Sequence, residues 1–260
     1  MLIICDMNNF VILSPHFDDG ALSCGGRIWQ AVQEGKRVRV LSLFAGGAIG
    51  EVPPFAQVQH AKWGNPPHPN RLRRAEDVAA YARLGCFDLY HLDAPDAVYR
   101  VTEDGRPLYG AEEAIFGDIQ PEEDGYPRSL MDEVLPYLPD EATILAPLGV
   151  GHHVDHLLGH AVGRLLLEEG WSVAFYEELP YIEAPEALEE ALADKSSLQP
   201  ETISLSEAAL AAKVDAMGYY RTQIPVLYGN ELAMSRRIRA VANAVAGRIG
   251  YAERIWWPTL

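Results

Sequence analysis

The chain has 260 residues, enough for one large domain, and 48% of them are hydrophobic, which allows a substantial core. It carries 37 acidic against 21 basic residues, a formal net charge of -16, which argues against a nucleic-acid partner and against docking on anionic membranes. Its three cysteines include no CxxC pair, which argues against a disulfide framework and favours a reducing compartment.

The N-terminal segment gives no sign of export or membrane insertion. No stretch of the sequence approaches the roughly 20 apolar residues that a membrane span needs. The segment MLIICDMNNFVILSP lacks a basic start and contains Asp6, so we do not expect a signal peptide. Together with the cysteine usage, these features predict a cytoplasmic protein.

Short apolar runs alternate with helical patterns along the first two thirds of the chain. Strands are predicted at FVILS (10–14), VRVLSLF (38–44), TILAP (143–147) and SVAFY (172–176), with a weaker one at DLYHL (88–92). Helical patterns lie near residues 21–34, 71–84, 129–138 and 154–169. This alternation predicts an α/β fold, with a mostly parallel sheet covered by helices on both faces.

Two segments between these elements are predicted to be long loops. Residues 45–70 and residues 94–128 are rich in glycine and proline. Loops of this length are uncommon in compact domains unless they form a lid or a substrate wall. We therefore expect Tyr99 and Arg100 to lie on the wall of a substrate pocket.

The C-terminal part, from about residue 202, is predicted to be helical. Helical patterns occur near residues 205–219 and 230–247, and the apolar Trp256-Trp257 pair that follows fits either the core or an interface between subunits. Glycine and proline clusters separate elements rather than domains, so residues 1–260 are predicted to form a single domain.

Directly after the first predicted strand, the stretch SPHFDDGALSCGG (14–26) contains His16, Asp18 and Asp19. Burying a carboxylate costs several kcal/mol unless a cation, a metal or solvent compensates it. Two explanations fit the stretch on its own. Either aspartate could cap the helix that follows, or the two could belong to a metal site.

A second cluster, GHHVDHLLGH (151–160), places His153 and His156 three residues apart at the start of a predicted helix. A solvated helix end with incidental histidines is the simplest alternative. Ligands bind at the carboxyl ends of parallel strands, so we expect His16 and His153 on the same edge of the sheet. Imidazoles and carboxylates without cysteine are typical of a catalytic zinc site with a position open to water. Iron(II) uses a similar set, so both Zn²⁺ and Fe²⁺ fit the ligand type.

The motif PHFDDGALSCGG, followed by HVDH, resembles the LmbE-like, or PIG-L-type, family of zinc-dependent N-deacetylases. The resemblance extends from residue 11 to about residue 180. It implies a Rossmann-like fold and a zinc-dependent hydrolase. The implied substrate is an N-acylated, usually N-acetylated, amino sugar or glycoside-type small molecule.

The resemblance also implies roles for individual residues. His16, Asp19 and His156 match the zinc ligands of the family. Asp18 matches the general base that activates the zinc-bound water, and His153 matches the histidine that stabilises the oxyanion or assists the leaving amine.

Three further positions follow from the resemblance. Asp155, between the two histidines, is expected to support them from behind. The stretch RLRRAEDVAAYARLG (71–85) resembles a family helix in which Arg73 and Glu76 match the pattern, and Arg73 is expected to face the substrate. An ordinary amphipathic helix with a surface arginine is the alternative.

The sequence departs from the family pattern at Phe17, where proline is usual, and at Gly20, where glutamate is usual. Phe17 is expected to alter the floor of the pocket, and Gly20 removes a partner behind the site. His152 and His160 are expected to be surface histidines. Two other functions fit the same residues: hydrolysis of another bond, such as an ester, and sugar binding by a protein that retains the metal without turnover.

Overall fold

The computed structural model describes residues 9–193 and 197–259. The segment with Cys5 and Asp6, on which the signal-peptide expectation depends, lies outside the described residues. Among the helices that are described, none combines the length and the apolar character that crossing a bilayer requires.

A mixed sheet of seven strands runs through the described residues. The strands are β1 (Asn9–Ser14), β2 (Arg37–Ser42), β3 (Asp88–His91), β4 (Thr143–Pro147), β5 (Ser172–Tyr176), β6 (Leu198–Leu205) and β7 (Tyr251–Pro258). Their order is β3-β2-β1-β4-β5-β7-β6. The first five pair in parallel, and β7 pairs antiparallel with both β5 and β6. The predicted mostly parallel, Rossmann-like sheet is confirmed.

Helices cover both faces of this sheet. They are α1 (Asp19–Gln33), α2 (Pro54–Lys62), α3 (Pro69–Arg83), α4 (Glu112–Ile115), α5 (Tyr126–Val134), α6 (Val154–Glu168), α7 (Pro185–Leu192), α8 (Glu207–Met217), α9 (Ile224–Leu227) and α10 (Glu231–Val245). Strand β1 shows the alternation that separates the two layers. Phe10 and Ile12 pack with residues of α1, α3, α8 and α10, while Val11 and Leu13 pack with α5, α6 and α7.

The position of β1 in the sheet determines where a ligand can bind. The chain crosses from β1 to β2 on one side, and β4 lies on the other side of β1. Such a change of direction leaves a crevice at the carboxyl ends of the two central strands. Residues that follow β1 and β4 are therefore neighbours, although they are far apart in the chain.

The two segments predicted to be long loops contain short helices. Residues 45–70 include α2 and the start of α3, and residues 94–128 include α4 and the start of α5. Pro54 and Pro69 each occupy the first position of a helix, where the missing N–H of proline costs nothing. A high proline content indicates loops when only the composition is considered. In this chain some of these prolines start helices, and the predicted loops are therefore partly helical.

The C-terminal part contains the two predicted helices, as α8 and α10, but it also adds strands β6 and β7 to the sheet. The β6 sequence, LQPETISL, shows no strict alternation and contains Pro200. Proline is tolerated there because β6 is the edge strand. Pairing with the distant β7, from Leu198 opposite Pro258 to Leu205 opposite Tyr251, defines this strand.

A buried ion pair joins the C-terminal part to α1. Lys213 Nζ lies 2.6 Å from Glu253 Oε1 and donates to the carbonyl of Ser23 at 3.1 Å. Glu253 also accepts hydrogen bonds from the backbone N–H groups of Gly26 and Arg27. Because Lys213 is fully buried, loss of its partner would leave an uncompensated charge in the core.

We predict that Glu253→Ala lowers the free energy of unfolding by about 3 to 5 kcal/mol, because it leaves the Lys213 ammonium unpaired. Urea unfolding followed by circular dichroism measures the change. The control is Glu169→Ala, which removes an exposed pair with Arg128 and should cost less than about 1 kcal/mol. Equal losses in the two variants would contradict a stabilising role for the buried pair.

Candidate metal centre

The turn between β1 and α1 is held together by hydrogen bonds within a few residues. Ser14 Oγ donates to the carbonyl of His16 at 2.5 Å and accepts the N–H of Gly20 at 2.8 Å. The N–H of His16 donates to Asp19 Oδ2 at 2.8 Å. Asp18 directly precedes α1, but its side chain makes no capping hydrogen bond. The geometry therefore gives the Asp18 side chain no role as a helix cap.

The second cluster lies at the start of α6, beyond the carboxyl end of β4. His153 is the residue before this helix, and its Nδ1 accepts the N–H of Asp155 at 3.2 Å. His156 follows one turn later and is completely buried. Because β1 and β4 are adjacent, the rings of His153 and His156 both lie about 5 Å from that of His16, with centroid distances of 4.9 and 5.4 Å.

Three side chains converge on one point. His16 Nδ1 lies 3.1 Å from Asp19 Oδ2, and His156 Nε2 lies 3.2 Å from the same oxygen. His156 Nε2 is buried and has no hydrogen-bond partner. A buried nitrogen without a partner, facing a carboxylate and a second imidazole, has the chemistry of a metal ligand. His16, Asp19 and His156 therefore fit a divalent metal ion.

A second possible set, His16, His153 and Asp155, shares His16 with the first. Asp155 Oδ2 already accepts from His16 Nε2 and from the N–H of Ala97, both at 2.9 Å. Because Asp155 Oδ2 is already occupied by two hydrogen bonds, this set has fewer atoms free to coordinate a metal ion. The set with Asp19 is therefore the better candidate.

Each of the two converging histidines has a carboxylate behind it. His16 Nε2 contacts Asp155, and His156 Nδ1 lies 3.4 Å from Glu178 Oε1. Such partners determine which ring nitrogen carries the proton and which one faces the metal. In this arrangement, His16 Nδ1 and His156 Nε2 are the nitrogens that face Asp19.

Asp155 is itself held by a buried arginine. Arg100 Nη1 donates to Asp155 Oδ1 at 2.5 Å, and Arg100 Nε lies 2.6 Å from Glu123 Oε1. Burial opposes ionisation of Asp155, but the charges of Arg100 and His16 hold its pKa below the ordinary value. Asp155 is therefore a carboxylate that accepts from His16.

Asp18 lies beside Arg73, and both side chains line a cavity at this edge of the sheet. Arg73 Nη2 is 3.6 Å from Asp18 Oδ1, and Arg73 Nη1 is 3.7 Å from Asp96 Oδ2. The guanidinium is also packed between the rings of Phe17 and Trp63, at 5.2 and 4.7 Å. Burial and the adjacent charge of Asp19 raise the pKa of Asp18, while Arg73 opposes the rise.

His153 points into the same cavity. Burial lowers the pKa of its ring, and the nearby His16 lowers it further. Because its Nδ1 accepts the N–H of Asp155, the proton of the neutral ring is on Nε2. His153 can therefore donate a hydrogen bond to an oxygen atom bound in the cavity.

The cavity above these residues has a volume of about 260 Å³, close to that of small-molecule sites. Its floor is formed by His16, Asp18, Asp19 and His153. Its walls come from six other regions, namely α2, α3, residues 96–98, α4, the turn after β5 and the C-terminal part. The wall residues include Gln59, Lys62, Trp63, Glu112, Phe116, Tyr181, Gln223 and Leu227.

The structure brings together most of the residues predicted from the sequence, but not Tyr99 and Arg100. Neither of these lines the cavity. The Tyr99 hydroxyl contacts His60 Nε2 at 2.7 Å and donates to Asn70 Oδ1 at 3.1 Å, so Tyr99 supports the wall from behind. The Arg100 guanidinium is buried with two carboxylates and contacts Asp155 rather than the cavity.

The two departures from the family pattern have a structural explanation. A Cβ atom at Gly20 would lie 2.5 Å from the hydroxyl of the buried Tyr81, so the tyrosine occupies the space that a larger side chain would need. Phe17 is buried between His91 and Arg73, and its ring supports the Arg73 guanidinium. Phe17 thus contributes to the site through Arg73.

The other two histidines of the second cluster do not line the cavity. His152 Nδ1 lies 3.1 Å from the carbonyl of Gly117, and His160 Nδ1 lies 3.0 Å from that of Pro147. Glu178, which is completely buried, is not among the residues predicted from the sequence. The adjacent pair Glu177-Glu178 follows a buried strand, as Asp18-Asp19 does, and this signal could have identified it.

The Rossmann-like sheet and the side chains at its edge together define an α/β protein whose site fits a divalent metal ion. A family model described as PIG-L, GlcNAc-PI de-N-acetylase, matches residues 11–167, and the chain belongs to this family. A 2'-N-acetylparomamine deacetylase of Streptomyces fradiae is 30% identical over 275 residues, 95% of this chain and 89% of the relative. The enzyme of the same name from Niallia circulans is 30% identical over 68% of each chain.

A solved structure extends the similarity to the whole fold. The zinc-inhibited form of teicoplanin deacetylase Orf2 matches with a TM-score of 0.79 and 27% identity, over 95% of this chain and 97% of that chain. All three relatives are named as deacetylases. This chain is accordingly a hydrolase of the N-deacetylase class.

We predict that Glu178→Gln weakens zinc binding by about 10- to 100-fold, because its amide cannot replace the carboxylate behind His156 Nδ1. Competition with a chromophoric chelator measures the affinity. Glu177→Gln is the matched control, since Glu177 contacts Arg254 and Trp256. The same loss of affinity in both variants would contradict a specific role for Glu178.

Proposed function

We propose that this chain removes an N-acetyl group from an amino sugar of a small-molecule glycoside, with zinc held by His16, Asp19 and His156. The convergence of two imidazoles on Asp19, next to Asp18 at the floor of a small-molecule cavity, is the observation that carries the proposal. The names of the relatives support an aminoglycoside or glycopeptide sugar as the substrate.

The proposed mechanism begins with the amide carbonyl at the floor of the cavity. Zinc, when bound by this set, supplies a Lewis acid for the carbonyl and lowers the pKa of water in its open position. Asp18 takes a proton from the attacking water, and Arg73, 3.6 Å away, orients the carboxylate. The new C–O bond forms as the carbonyl oxygen gains negative charge.

His153 stabilises this negative charge. Its Nε2–H donates to the oxygen, and the N–H of Asp155 holds the ring in the required orientation through Nδ1. The C–N bond then breaks, and Asp18 gives its proton to the departing nitrogen. The products are acetate and the free amine of the sugar.

The remaining sequence expectations also become proposals. We propose that residues 1–260 form one domain and that the protein acts in the cytoplasm on a small molecule, without a nucleic-acid or membrane partner. Support comes from the single sheet that joins β1 with β7, from the buried free thiols of Cys24 and Cys86, and from the acidic composition.

The direct test is amine release from 2'-N-acetylparomamine by chelated and zinc-restored protein. Chelation should abolish activity and zinc should restore it. Asp18→Asn should still bind zinc but lower kcat by about 10²- to 10⁴-fold, because no group takes the proton of water. Full amidase activity in the chelated protein or in Asp18→Asn would overturn the mechanism.

Two other outcomes would favour the alternative functions. Faster cleavage of a matched acetate ester would indicate an esterase, and zinc binding without any turnover would indicate a sugar-binding protein.

We predict that His153→Ala lowers kcat by about 100- to 1000-fold, because the carbonyl oxygen loses its hydrogen-bond donor. Steady-state kinetics on the zinc-loaded enzyme measure this change. His152→Ala is the control, since His152 faces the Gly117 carbonyl outside the cavity. An unchanged kcat in His153→Ala would remove this residue from the mechanism.

A further inference from the structure

An ion pair crosses the mouth of the cavity. Lys62 is the last residue of α2, Glu112 is the first residue of α4, and both side chains line the cavity. Lys62 Nζ lies 2.6 Å from Glu112 Oε2. The side chains are 35% and 59% exposed, so water competes for both charges. Exposed pairs of this kind change an equilibrium by at most about fivefold, so the contact is easily exchanged.

Arg73, the arginine among the described lining residues, is held differently. Arg73 is buried between two aromatic rings, and its charge is balanced by Asp18 and Asp96. It cannot leave without losing both ion pairs and its contacts with both rings. Lys62 therefore provides the exchangeable cation of the cavity, and Glu112 is the carboxylate that becomes available when Lys62 turns to solvent.

The Lys62 ammonium has the same chemistry as a protonated amine of an amino sugar. Its flexible four-carbon stem lets it leave the carboxylate without any backbone movement. The net charge of -16 also favours the approach of a cationic ligand. In the free protein, the lysine ammonium occupies the position next to the Glu112 carboxylate.

We propose that Glu112 is a specificity-determining residue that binds a second ammonium group of the substrate, after this group has displaced Lys62. The inference deepens the proposed function. It assigns as substrates N-acetylated amino sugars that carry at least one further free amine, and it distinguishes them from neutral N-acetylglycosides. Lys62 and Glu112 would then have opposite effects on the affinity for such substrates.

The test compares 2'-N-acetylparomamine, an aminoglycoside with free amines, with the neutral methyl N-acetylglucosaminide. Glu112→Gln should raise KM for the cationic substrate about three- to fivefold and leave its kcat unchanged. Lys62→Met should lower the same KM by a similar factor, because the carboxylate loses its competitor. Neither variant should change KM for the neutral glycoside. The exposed pair Arg239–Glu207, outside the cavity, supplies the controls Arg239→Met and Glu207→Gln, which should change neither KM.

Changes in the same direction for Lys62→Met and Glu112→Gln, or equal changes for both substrates, would overturn the proposal, because a structural contact between α2 and α4 would produce them.

A second experiment measures the affinity of the zinc-loaded protein for paromamine by isothermal titration calorimetry, which does not depend on turnover. If the wild-type protein cleaves neither substrate, the proposed function fails. Tighter binding by Lys62→Met and weaker binding by Glu112→Gln would still support the proposal, and no detectable binding would overturn it.

Discussion

The site depends on one buried carboxylate that faces two imidazoles. Asp19 Oδ2 lies within 3.2 Å of both His16 Nδ1 and His156 Nε2, and it accepts the N–H of His16 as well. These groups can meet because β1 and β4 are adjacent parallel strands whose carboxyl ends share one edge of the sheet. A carboxylate in this position is costly without compensation, and a divalent metal bound among the three side chains would remove that cost. The adjacent Asp18 is left free to face the cavity.

Further buried carboxylates give the imidazoles their orientation. Asp155 lies behind His16, and Glu178 lies behind His156. Each is held in turn, Asp155 by Arg100 and Glu178 by the backbone N–H groups of Gly149 and Val150 at 2.7 and 3.2 Å. The carboxylates behind the two imidazoles are therefore themselves held in position, by a guanidinium and by backbone N–H groups. Such a network keeps the ligand atoms in position only while every partner is present.

The C-terminal part, which lies beyond the family match, supports the turn that carries His16. The hydroxyl of Tyr220 lies 2.7 Å from Asp77 Oδ1 and 3.1 Å from the carbonyl of Phe17. The next turn contributes Gln223 and Leu227 to the cavity wall. It is held by Glu76, whose carboxylate accepts from both the N–H and the hydroxyl of Thr222. Helix α3 thus contributes Arg73 to the cavity and, through Glu76, holds the C-terminal turn that forms part of the cavity wall.

The sequence by itself determined the parallel core of the sheet and the side chains at its edge, because continuous apolar runs and adjacent His/Asp clusters are local patterns. It also located His16, Asp18, Asp19, His153 and His156 on one rim, since residues that follow parallel strands share an edge. The tertiary structure decided what local patterns do not contain. Arg100 contacts Asp155 because folding buries its guanidinium, and β6 is a strand because β7 pairs with it. Lys62 and Glu112 meet across the cavity because α2 and α4, which are 50 residues apart at this contact, pack on the same edge.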